Sequence, residues 1–367
     1  MPGFLITIVF GSGLFLLHAL AHAPSARAFA FCELAAALLL GGALMMPSLR
    51  REAITLALRL GALVFGAIAL GYLLEARADA QWQGLWAACI EALGPCLAVI
   101  AGHALASAWN RHGVLRGLYL AGALSALWSS LSFLAMTRGA GPSAAALLLD
   151  FSLNPSASLI FALSFAAAAF ALGEEVVRKP LRVGPRLAPL AQRLLLPLAA
   201  CVCCLIALHL SKAVLPVFAA GLGASAVAIG LGLRARRAAG PLMAALPALM
   251  AFSLLALSLG AGEPAPWTLP PRDLLAELAW IPALALVLIT SLLAKDHKRS
   301  PGRGLALMLG CCVVTMSLAA FSNAVESPSG LMANSLLIGL ALSYRDADSK
   351  PARKQKALGV SAGAKAS

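Results

Sequence analysis

His18, His22, Glu33, Arg59, Glu91, His209 and Lys212 stand inside or at the edge of long apolar runs. A charge kept in such a run is costly, so each marks a functional position by default. Histidine titrates near neutrality, and burial moves a carboxylic acid towards the same range, so such a set can take up and release protons. Glu33 and Glu91 are the expected protonation sites. His18, His22 and His209 are expected to tune or relay, with Lys212 near the surface. Arg59 is placed to attract an anionic group. His18 and His22 are four residues apart and share one helix face. Against this, residues close to a helix end can snorkel to the interface at little cost.

A second chemistry uses the same residues. Two histidines on facing helices at one depth can hold a haem b, and His22 with His209 would satisfy that geometry. The HALAH spacing around His18 and His22 lacks a nearby carboxylate, so a metal site is not expected. The principal reading therefore has no cofactor.

The elements that must position these groups are membrane spans. Hydrophobic residues make up 61% of the 367, charged residues 12%, and mean hydropathy is +0.89. A soluble domain needs roughly 25% charge to cover its surface. The fold class expected is all-α, a polytopic bundle of about twelve spans in two halves of about six. The net charge of +13 reads as orientation-setting loop charge rather than a nucleic-acid surface. The eight cysteines all fall in apolar runs without CxxC spacing, and read as small packing residues.

In chain order the spans are expected at 3–22 (an uncleaved anchor), 29–46, 53–74, 85–108 (broken at Gly94-Pro95), 114–136 and 156–172. Then come two spans cut from 194–233 around Lys212 to Pro216, and others at 241–259, 274–293, 305–321 and 328–344. Near the midpoint lies EEVVRKPLRVGPRLAPLAQR, with Arg178, Lys179, Arg182, Arg186 and Arg193 against Glu174 and Glu175. It reads as a basic hinge loop at 174–193. It separates an N-terminal half, 1–173, from a C-terminal half, 194–344, and a basic, disordered tail follows at 345–367. Alternate loops carry the positive charge: Arg50-Arg51, Arg111 with Arg116, the hinge, Arg234-Arg236-Arg237, Lys295 to Arg303, and the tail. By the positive-inside rule both termini are cytoplasmic.

Two short motifs fall short of families they approach. Gly223-Ala224-Ser225-Ala226 lacks the glycine after serine of the rhomboid proteases, and reads as close helix packing. PSLRRE and LRARRA lack the aspartate and spaced glycines of the major facilitator loop motif. The expected function is a secondary transporter or permease of the cytoplasmic (inner) membrane, proton-coupled. Its partners are the lipid bilayer and a small-molecule or ion substrate, with no nucleic acid. The alternative is a non-transporting subunit of a larger membrane complex, with or without haem. An enzyme is the reading ranked last, because no loop gathers catalytic groups.

Overall fold

In the computed structural model, residues 82–108, 111–137, 155–178, 187–210, 214–233, 239–261, 303–321 and 330–344 are described, with helical positions at 34, 37, 41, 54 and 56. The expected spans before residue 82 and at 274–293 lie outside the described residues. Eight helices occur among those described: α1 Trp82–Ala108, α2 Arg111–Thr137, α3 Pro155–Arg178, α4 Leu187–Leu210, α5 Val214–Gly232, α6 Ala239–Gly260, α7 Arg303–Phe321 and α8 Gly330–Tyr344. No strand occurs among these residues. Five helices, α2 to α6, are long and apolar enough to cross a membrane, and α7 and α8 carry shorter apolar runs. The chain is a membrane protein.

Helix by helix the expected boundaries hold within a few residues, with three informative departures. The α1 helix runs unbroken through Gly94-Pro95. A proline there removes one backbone donor, and both residues are buried against neighbours that keep the helix in line. Pro216 opens α5 instead of breaking it, since the first-turn amides have no intrahelical acceptor to lose. The basic stretch is also shorter as a connection than expected. Glu174 to Arg178 continue α3, and Leu187 to Arg193 already belong to α4.

The centre is α3. Its span from Ser158 to Val176 is 94% buried, whereas that of α6 is 28% buried. Phe165, Phe170 and the run Ala166 to Ala169 give it a surface that neighbours approach on every side. It packs on α2, α4, α5, α6 and α7, that is, on helices before and after the basic stretch. Glycines set the closest approaches. A methyl group at Gly223 of α5 would meet Val314 and the Gly310 carbonyl of α7, and one at Gly310 would meet Val227 and the Gly223 carbonyl. Ala166 of α3 lies against both. This is the small-residue packing expected for the GASA sequence, whose Ser225 hydroxyl donates to its own helix at Gly221, 2.9 Å away. The cysteines behave likewise: Cys96, Cys201, Cys204, Cys311 and Cys312 are free and buried, and Cys203 is partly buried.

Contacts along the helices fix their directions. His112 of α2 meets Glu174 of α3 and Gly122 meets Ser164, so these two run antiparallel. Gly173 of α3 lies by Leu231 of α5 and Gly240 of α6, Gly230 by Ala306 of α7, and Gly304 by Ala341 of α8. One end of the bundle therefore gathers the starts of α2, α6 and α7 and the ends of α3, α5 and α8. Arg111, Arg116 and Arg303 all lie there. It is called the basic end below.

Candidate functional site

The sequence EEVVR after Leu172-Gly173 contains no helix breaker before Pro180, so α3 keeps its turn and carries Glu174 with it. Four residues earlier on the same face is Phe170. Its ring stacks edge-on against Tyr344, the last residue of α8, with centroids 5.5 Å apart. That contact sets the Tyr344 hydroxyl beside Glu174.

Glu174 is 3% exposed, and both carboxylate oxygens are engaged. Tyr344 Oη donates to Oε2 at 2.9 Å. An Arg303 guanidinium nitrogen donates to Oε1 at 3.4 Å. His112 Nδ1 lies 3.5 Å from Oε2, an ion pair when the imidazole is protonated. The Arg111 guanidinium sits 5.1 Å over the Tyr344 ring, a cation–π contact, and His112 meets that ring edge-on at 6.1 Å. Just inward on α2 are Arg116 and Tyr119, with Glu175 close by.

Placement decides the electrostatics. A carboxylate in the last turns of α3 faces the negative end of its own helix dipole, which disfavours it. His112 and Arg303 belong to the first turns of α2 and α7, whose dipoles present their positive ends. A buried carboxylate is tolerated only when paired and fully hydrogen-bonded, and Glu174 meets that condition through three helices other than its own. The partners are less buried than the acid: the side chains of His112 and Arg303 are 24% and 33% exposed, so water reaches them. The arrangement can store one negative charge at the basic end of the bundle, and can give it up if a proton arrives.

His18, His22, Glu33, Arg59 and Lys212 lie outside the described residues. Glu91 lies on α1, one turn before Pro95, and its side chain is outside the described set. His209 is exposed in the last turn of α4, on a face shared with exposed Val202 and Ile206, so it points away from the packed helices. His209, the expected candidate whose side chain is described, is not brought to Glu174. Among the described residues no group of three or more His, Cys, Asp or Glu gathers as a metal site.

Glu174, His112, Arg303 and Tyr344 were missed by sequence reasoning. Each reads as a loop charge or a helix end, and their sequence separations of 129 and 170 residues from Glu174 hide the contact. The available signal was the Phe170–Glu174 spacing with no breaker between. No protein-family model, curated protein or solved structure matches the chain.

Proposed function

We propose that this chain is a secondary carrier of the cytoplasmic (inner) membrane, with about twelve spans and both termini cytoplasmic, driven by protons. The up-and-down order of the described helices supports the topology, because it gathers Arg111, Arg116 and Arg303 at one end, as the positive-inside rule asks of a cytoplasmic side.

One observation favours a carrier over a static subunit. The basic end is closed by polar contacts of Glu174, and these join α2 and α3, which precede the basic stretch, to α7 and α8 near the end of the chain. Alternating access needs such a closure: groups from two parts of the bundle that meet in one state and part in the other. A polar knot with water at its edge can part, because the freed groups find water.

The test is proton flux. The purified protein, reconstituted in liposomes with a pH-sensitive dye inside, is expected to carry protons when candidate solutes are added in turn, and Glu174→Gln is expected to lose that movement while inserting normally. A protein that moves no proton with any solute, and that leaves its own host membrane bound to a stoichiometric second subunit or to haem, would instead be the non-transporting partner of a larger complex.

A further inference from the structure

We infer that Glu174 is a proton-operated latch: ionised, it holds the basic end of the bundle closed, and protonated, it releases α2, α7 and α8 from α3. This rests on the carrier reading for its purpose, and names the residue at which a proton acts on that closure.

The charges around Glu174 carry the argument. From α2 come Arg111, His112 and Arg116, from α7 Arg303, and from α8 Tyr344; Glu175 is the neighbouring acid on α3 itself. The helices α5 and α6 meet this end of α3 through Leu231, Gly240 and Ala244, which carry no charge. Arg193 of α4 is exposed. Glu174 is thus the buried counter-charge for Arg303, and for His112 when it is protonated, with Arg111 over the Tyr344 ring beside them. When it takes a proton from water at the basic end, the carboxylate becomes a neutral acid. The Arg303 ion pair is lost, and so is the pairing with a charged His112. Arg111, Arg116 and Arg303 then repel one another, with Glu175 the acid left at this end among the described residues. Repulsion between the first turns of α2 and α7 acts to separate them, and water at His112 and Arg303 has room to follow.

Linkage makes the relation reciprocal. If closing favours the ionised form, acid must favour opening, by the same free energy. Closure is lost as pH falls through the latch's own midpoint, where Glu174 itself takes the proton.

The apolar seam predicts where the movement stops. Gly223, Gly310 and Ala166 hold α3, α5 and α7 together without any titratable group, so their contact does not respond to pH. The opening is a local parting of the basic end about that seam.

Hydrogen–deuterium exchange on the full chain in lipid nanodiscs tests this, with rates corrected for intrinsic exchange across about pH 3 to 7, a window that spans the ordinary carboxylate range. Peptides covering 111–116, 303–306 and 341–344 are expected to gain exchange together as pH falls, by about tenfold. Peptides covering 220–227 and 308–315 are expected to stay protected. Glu174→Gln is expected to abolish the step and leave the basic end open at every pH. Tyr344→Phe is the milder variant, because it keeps the ring on Phe170 and removes one donor to the carboxylate. It is expected to move the midpoint up by about one pH unit. A wild-type protein whose basic end exchanges equally across this range overturns the latch. So does a Glu174→Gln protein that keeps the step, and if that variant does not fold, a Tyr344→Phe midpoint equal to wild type decides against it. A clear step in a protein that carries no protons in liposomes would leave the latch standing and remove the carrier.

Discussion

The bundle is held together in two unlike ways. At the basic end Glu174 gathers Arg303, Tyr344 and His112 by charge and hydrogen bonds. Deeper in, Gly223 and Gly310 bring α5 and α7 against Ala166 of α3 with backbones nearly in touch. The seam depends on shape alone. Helices there gain little from hydrophobicity, because lipid is as apolar as their partners, so contact distance decides stability. The knot depends on charge, which can change by one proton. A molecule with both has a part that stays shut and a part that can open.

Removing one side of the knot is expected to have the largest effect. Arg303→Ala leaves Glu174 buried without its guanidinium, a loss of about 3–5 kcal/mol for a buried pair broken on one side. The lower part of that range applies, since Tyr344 and His112 remain and Arg303 is partly exposed. Thermal unfolding in detergent checks it, and exchange should rise at the basic end first. Gly310→Leu attacks the seam instead. With Val227 and the Gly223 carbonyl in its path, it is expected to cost about 1–3 kcal/mol. Its exchange should rise along α5 and α7 and show no dependence on pH. If the two variants loosened the same segments, the division between a fixed and a movable part would be wrong. His209→Ala serves as the control. On an outward face of α4, it is expected to change stability by less than about 0.5 kcal/mol and to leave both regions as they are. A larger effect on the melting temperature would mean that His209 has a partner that matters.

Much of the frame was legible in the sequence because apolar length is a direct physical signal. The division of the forty-odd residues from Leu194 onward around Lys212 to Pro216 came from polar residues that no lipid-facing helix tolerates cheaply, and α4 and α5 end and begin on either side of that point. The GASA segment was legible too, since small residues in series allow close packing and little else. The knot was not. Glu174 was read with its basic neighbours as loop charge, although nothing before Pro180 stops the helix. Which of its faces is buried depends on α7 and α8, and pairing across so long a separation leaves no local trace. The same limit explains why His209, picked from an apolar run, does not meet Glu174: depth in a membrane can be counted from helix ends, but the direction a helix faces cannot.

Near-complete burial of α3 has a consequence for how the protein is made. The helix that ends up with almost no outward surface leaves the ribosome before most of the helices that cover it. At about 5–20 residues per second, Tyr344, 170 residues downstream, is synthesised roughly ten to thirty seconds after Glu174. For that interval α3 faces lipid, and its carboxylate lacks two of its final partners. Its alanines and phenylalanines must therefore serve two environments in turn, first as a span stable among lipid tails and later as a surface without gaps for six other helices. The acid at its end is the last part of α3 to be completed, and Tyr344 of α8 completes it.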